Sequence, residues 1–198
     1  METTSTQLAV IQSACGELKA SQRSFDSLLS MVLAAGNYLN GGSVRGQAYG
    51  VKLDVLVKLS TVKSGPDKGT LIHFIAHQAE TRNREIIGLS DGWAAMWAAS
   101  DVSLKQLELD IRQLELQVEK VQSEAKTGVA KVLDLAGEAS ASALRDRLES
   151  FLEIALPRLK TLNKQLQDTD SAVKELTQRF FFSNQKNNNY IFLFLEII

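Results

Sequence analysis

The sequence predicts an all-α protein, an elongated helical bundle with two long antiparallel, coiled-coil-like helices. Three observations carry this reading. Only two prolines, Pro66 and Pro157, interrupt 198 residues rich in Leu, Ala, Glu, Lys and Gln, which are strong helix formers. Apolar residues in the first part recur at helical intervals, and those in the last part repeat every seventh residue.

The first amphipathic helix is expected from about Thr6 to Leu39, where Leu8, Ile11, Ala14, Leu18, Phe25, Leu28, Leu29, Val32 and Leu33 share one face. Gly36-Asn37-Tyr38-Leu39-Asn40-Gly41-Gly42 stops it, because Gly and Asn tolerate left-handed backbone angles. The small and polar run from Ser43 to Gly50 then reads as a loop. A short helix is expected over Lys52 to Leu59, with Leu53, Leu56 and Leu59 on a common face. Ser64-Gly65-Pro66-Asp67 makes a turn, and another helix follows with Leu71, Ile72, Phe74 and Ile75. Asn83 to Ala99 reads as a further packed helical segment, whose Trp93 and Trp97, at i, i+4, serve as core or docking surface.

From Leu104 onward the spacing is a heptad. Leu104, Ile111, Val118, Ala125 and Val132 occupy one position, and Leu107, Leu114, Val121 and Leu135 the position three residues later. Glu108, Arg112, Glu115, Glu119 and Lys120 fall outside this seam, in water. A break near Gly137-Glu138-Ala139-Ser140 precedes a second run, Leu152, Leu159, Leu166, Val173 and Phe180, with Leu162 and Leu176 in the companion position. Two such helices joined by a short break fold back as an antiparallel pair; an intermolecular coiled coil is the alternative, since the pattern fixes the seam and not the partner.

Composition narrows the function. A formal net charge of −1 supplies no global field for nucleic acid or an anionic membrane, so recognition by charge must be local. One cysteine, Cys15, cannot form an internal disulfide, and the first residues lack the basic and apolar regions of a secretory signal, so an intracellular protein is expected. The segment Tyr190 to Ile198, after Asn187-Asn188-Asn189, is apolar but too short to span a bilayer as a helix. It reads as a divergent terminus or translated non-coding sequence, and the sequence assigns it no function.

The richest stretch runs from Leu28 to Phe74. It contains Gly36-Asn37-Tyr38-Leu39-Asn40 at a helix end, a glycine-bearing loop, and Gly50-Val51-Lys52-Leu53-Asp54-Val55-Leu56. Lys58-Leu59, Lys63-Ser64 and Leu71-Ile72-His73-Phe74 follow. This order and spacing resemble the signature of formin homology 2 domains, in which a helix ends in Gly-Asn-Tyr-x-Asn and is followed by Gly-Phe-x-Leu-x-x-Leu, Lys-Leu, Lys-Ser and Leu-Leu-His-Phe. Val51 stands where that family has Phe; it keeps an apolar anchor with less aromatic area, which would weaken a local docking surface. Through the two long helices, to about Phe182, only the pattern matches.

The resemblance implies a partial formin homology 2 domain over residues 1–182, with a post region over 24–100 and heptad helices over 101–182, and it sets 183–198 apart. It implies an actin-binding module that works noncovalently at the filament barbed end, in the cytoplasm and on the cytoskeleton. It also implies a partner: a lasso segment, supplied in trans, received on Gly36, Asn37, Tyr38, Asn40, Gly50, Leu53 and Leu56, which makes a homodimer. Lasso, linker and most of the knob are expected to lie outside this chain, so that the chain alone would nucleate actin poorly. Gly36 permits close backbone approach, and each Asn offers a donor and an acceptor to an incoming segment; a helix cap in which Asn37 and Asn40 bond their own backbone is the competing reading.

From Arg45 to Lys68 positive residues outnumber negative ones. Because actin's surface is acidic, Arg45, Lys58 and Lys63 are the candidate actin contacts, with Lys52 and Lys68 left as solvated lysines. No catalytic residue, cofactor or metal is expected. His73 and His77 share a helix face, but Glu80 is a single nearby carboxylate, and Ser64 to Thr70 has Lys and Gly in the wrong order for a phosphate loop. A coiled-coil scaffold without actin activity is the alternative function.

Overall fold

A computed structural model describes residues 2–63 and 69–181. The expected turn at Ser64 to Asp67, together with Lys68, Phe182 and the apolar tail, lies outside the described residues. Seven α-helices are described: α1 (Glu2–Ala20), α2 (Gln22–Leu39), α3 (Asp54–Lys58), α4 (Leu71–Arg82), α5 (Ala94–Ala99), α6 (Leu104–Ala136) and α7 (Glu138–Phe181). The fold is all-α; the only extended pairing among the described residues is an antiparallel bridge between Lys63 and Thr70. The chain divides into two compact units, residues 1–12 with 102–172, and residues 13–101 with 173–198.

In the first unit, α6 and α7 are held by the expected seam. Ser103 begins α6 by accepting a hydrogen bond from the Gln106 amide at 3.3 Å, and Gly137 ends it at φ 82°, where any other residue would be strained. Asn163 Nδ2 donates to Glu115 Oε1 at 2.6 Å, while Val118 packs with Ala155 and Leu159. Higher numbers on α6 thus meet lower numbers on α7, and the pair is antiparallel within one chain.

The buried positions on α7 include two that the apolar pattern omitted. Ala155 is 4% exposed and Thr169 is fully buried, both at the companion position of Leu162. Thr169 fits because its hydroxyl donates to the Gln165 carbonyl at 2.7 Å, leaving a methyl to face the seam. On α6 the seam fades: Leu135 is 87% exposed, and Val129 is buried instead. An α-helix turns every 3.6 residues, so a strict seven-residue repeat drifts off one face unless the helix supercoils. Pro157 sits on the exposed side of α7, away from the seam.

In the second unit, the single helix expected from Thr6 to Leu39 is two helices meeting at Ser21. The Ser21 hydroxyl donates to the Glu17 carbonyl at 2.9 Å, competing with the helical ladder and bending it without breaking it, since Phe25 N still donates to Ser21 O at 3.0 Å. The bend receives the segment expected as one helix over Asn83 to Ala99. That segment is a 3-10 turn, Arg84–Ile86, followed by turns and the short α5, because Gly88 at φ 73° and Gly92 interrupt it. Trp93 packs edge-on against Phe25, with ring centroids 5.9 Å apart, and its indole N–H donates to Ser21 Oγ at 2.8 Å. Trp97 is 68% exposed. The two oxygens of Glu17 accept from the Ala95 and Met96 amides at 2.9 Å each, supplying the cap that α5 lacks in its own sequence.

Helices α2, α3 and α4 close around Val32, Leu59, Leu71 and Ile75, with Leu28, Met31, Ala35, Val51, Val55 and Leu56 partly buried against them. Thr70 and His73 form a reciprocal cap at the start of α4, with Thr70 N donating to His73 Nδ1 at 3.2 Å.

Replacing Glu17 by Ala leaves two half-buried amides without acceptors, at a cost of about 1–3 kcal/mol each. Thermal unfolding followed by circular dichroism should show a lowered Tm; an unchanged Tm would mean that the carboxylate does not hold α5. Burial pushes the Cys15 thiol up, against the opposing pull of Lys19 and with a smaller push from Glu175, so Cys15 should react slowly with thiol reagents until the chain unfolds.

Candidate protein-docking site

The motif residues at the end of α2 divide into those that face inward to the loop and those that face out. Asn37 uses both ends of its amide on Ala48: Nδ2 donates to the Ala48 carbonyl at 2.9 Å, and Oδ1 accepts from the Ala48 amide at 3.0 Å. Asn40 Nδ2 donates to the Gly36 carbonyl at 2.8 Å, and the Asn40 amide donates to the same oxygen at 3.1 Å. These bonds fold the loop back onto the helix end. Gly36 is half-buried with open space where a Cβ would stand, and Gly50 is exposed.

A further glycine, Gly46, was not singled out by the sequence. A Cβ there would stand 2.5 Å from the Asn40 carbonyl oxygen, so the close approach of loop to helix end requires Gly. Its spacing within a glycine-rich loop carried no sign of this contact. Arg45 has its backbone in the 3-10 turn Val44–Gln47, and its side chain falls outside the described residues.

The outward residues are apolar. Tyr38 is 87% exposed, Leu39 55% and Phe74 45%, and all three line a groove of about 470 Å³ between α2 and α4. Met31, Ala34, Ala35, Leu71 and Gln78 complete its walls, and Lys63 and Arg82 bring two cations. The bridge from Lys63 to Thr70, with Leu71 N donating to Val62 O at 2.7 Å, fixes Lys63 beside the start of α4.

Leu53 is half-buried just before α3, and Leu56 packs against the Val32 cluster. Val51 packs against the same cluster. The residue in place of the family's Phe therefore bears on the packing beneath α3. Lys58 lies on α3, where its ammonium meets Asp54 Oδ2 at 2.6 Å in an i, i+4 pair, both exposed to different degrees. The structure thus brings Tyr38 and Lys63 to one groove and places Lys58 on a separate helix. Among the described residues no group of three or more His, Cys, Asp or Glu could hold a metal ion, and no helix is long and apolar enough to cross a membrane.

The formin homology 2 domain family matches the chain over residues 1–198, and the chain belongs to that family. It is 37% identical over 120 residues to the human protein diaphanous homolog 3, covering 61% of this chain and 10% of that protein. It is 29% identical over 194 residues to the human protein diaphanous homolog 2, covering 93% of this chain and 17% of that protein. A formin-like protein of Drosophila melanogaster is 31% identical over 194 residues, covering 98% of this chain and 15% of that protein. The chain thus spans less than a fifth of the length of these relatives.

Replacing Asn37 by Ala removes both bonds to Ala48. Hydrogen exchange at the Ala48 amide should accelerate by about tenfold, corresponding to roughly 1.4 kcal/mol, with helix content unchanged. Unaltered exchange would show that the loop is held by something else.

Proposed function

We propose that this formin homology 2 chain is an actin-binding module that acts noncovalently at the filament barbed end, using the groove between α2 and α4 to receive a lasso segment from another subunit. The observation that carries this reading is the exposed apolar groove beside Tyr38 and Leu39, at the end of the motif helix. Apolar surface concentrated in this way, with cations beside it, is the form of a protein-docking site. Gly36, Asn37 and Asn40 support the groove by fixing the helix end and the loop. Leu56 would support the same region from beneath, through the cluster that it shares with Val32 and Leu71, and Gly50 and Leu53 would receive the segment from the stretch that leads into α3.

Lys63, Lys58 and Arg45 provide the positive charge that would meet the acidic surface of actin. A lasso supplied by another formin homology 2 subunit would join two subunits into a dimer, and its place of work would be the cytoskeleton in the cytoplasm. No step in this action breaks or forms a covalent bond, so catalytic residues and cofactors have no part in it.

Cosedimentation with actin filaments and a pyrene-actin assembly assay test the reading directly: binding supports it, and an intact fold with no binding favours a scaffold. Replacing Lys58 and Lys63 together by Asp should weaken association by about tenfold, on the order of 1 kcal/mol for each exposed contact, and leave helicity unchanged. The Lys58 change carries the smaller share, because its charge is already offset by Asp54. Full affinity in the double variant would remove both lysines from the actin surface.

A further inference from the structure

Helix α7 carries a second stripe beside the one that meets α6. Arg147, Phe151, Ile154, Arg158, Thr161 and Gln165 follow one another at alternating spacings of four and three residues, so they share one face of the helix. The C-terminal part of this face seats the start of α1. Ser5 Oγ donates to Gln165 Oε1 at 2.8 Å, Gln12 Nε2 donates to the Gln165 carbonyl at 3.4 Å, and Glu2 and Ser5 line a pocket of about 370 Å³ with Arg158, Thr161 and Gln165. The N-terminal part is open: Phe151 is 50% exposed and Ile154 60%. The nearest acidic residues of α7, Asp146, Glu149 and Glu153, lie more than about 100° around the helix from the stripe, given 3.6 residues per turn. Glu2 reaches the pocket beside Arg158 without pairing with it, and neither Arg147 nor Arg158 enters an ion pair among the described residues.

We propose that Arg147, Phe151, Ile154 and Arg158 form a docking face for an acidic amphipathic helix of a partner protein, which sets two apolar residues against Phe151 and Ile154 and a carboxylate against each arginine. A helix laid there extends, in line, the seat that α1 already occupies on the same face, so the surface is shaped for helix packing. Its length suits a helix as well: Arg147 to Arg158 spans about 16 Å, roughly three turns. Charge decides between the two occupants that such a stripe could take. Two copies of α7 packed antiparallel, with Phe151 against Ile154, would set Arg147 of each against Arg158 of the other, and parallel packing would set each arginine against its own counterpart. Like charges meet in both arrangements, which disfavours a second copy. A partner with carboxylates at these two places gains the fork-shaped hydrogen bonding that arginine offers, next to apolar surface that the partner dehydrates.

The probe is a short synthetic peptide, held helical by a lactam bridge on its far face, with two leucines three residues apart and a glutamate four residues outside each. Fluorescence anisotropy with the full chain at low salt should show it binding about tenfold more tightly than the same peptide with lysines for the glutamates, and the gap should narrow as salt rises. The Arg147→Glu/Arg158→Glu chain should prefer the lysine peptide. This inversion is a readout that a loss of folding does not produce. The Phe151→Ser/Ile154→Ser chain should lose about tenfold or more toward the glutamate peptide, with circular dichroism unchanged because these side chains are exposed. Binding of neither peptide, equal binding of both, or a preference that survives Arg147→Glu/Arg158→Glu overturns the proposal. So does sedimentation in which the chain alone dimerises and Phe151→Ser/Ile154→Ser abolishes the dimer, because the face then serves a second copy.

Discussion

The arrangement of residues 13–101 depends on one carboxylate. Glu17 lies on α1, and its two oxygens are the acceptors for the first free amides of α5, a helix of six residues. So short a helix cannot repay the cost of its own nucleation, and it persists because an external acceptor and a packed indole hold its start. One turn later Ser21 bends the α1–α2 ladder and accepts the Trp93 N–H, so the position that bends the helix also receives the segment the bend makes room for. From there α2 runs to the motif at its C-terminus.

Much of this was legible in the sequence, and what was not has physical causes. Periodicity identified the seam residues Ile111, Val118, Leu159 and Leu162, all of which are buried. It missed Ala155 and Thr169, because a small residue and a hydroxyl carry no apolar signal, although both suit close helix contact once the hydroxyl bonds back to its own helix. It overextended the seam to Leu135, where drift of the helix carries the side chain into water. The division at Ser21 was invisible because the residues on either side keep helical spacing; only the tertiary partner Trp93 reveals it.

The candidate site was legible as a stretch and not as a division of labour. Sequence reasoning treated Gly36, Asn37, Tyr38 and Asn40 as one surface. The structure separates them: the amides of Asn37 and Asn40 are hydrogen-bonded within their own helix end and loop, while Tyr38 and its neighbour Leu39 stand in solvent. A buried or half-buried Asn satisfied on both sides stabilises a conformation, whereas an exposed aromatic raises the free energy of the isolated surface until something covers it. Polar residues in such a motif therefore fix the shape, and apolar ones supply the adhesion.

The same separation governs the positive charges. Lys58 is tied to Asp54, whose other oxygen, Oδ1, is buried without a partner among the described residues. Drawing Lys58 away toward an acidic surface would leave that carboxylate with still less compensation, so part of any attraction at Lys58 is cancelled by what it abandons. Lys63 has no such debt, and it lies at the apolar groove beside Phe74 and Leu39. A cation beside apolar surface acts in a region that a partner will dehydrate, where the same charge exerts a stronger force than on an open helix face. Of the two basic candidates whose side chains are described, Lys58 and Lys63, Lys63 is thus the one whose position joins charge to shape, and selectivity for a partner is set where those two meet.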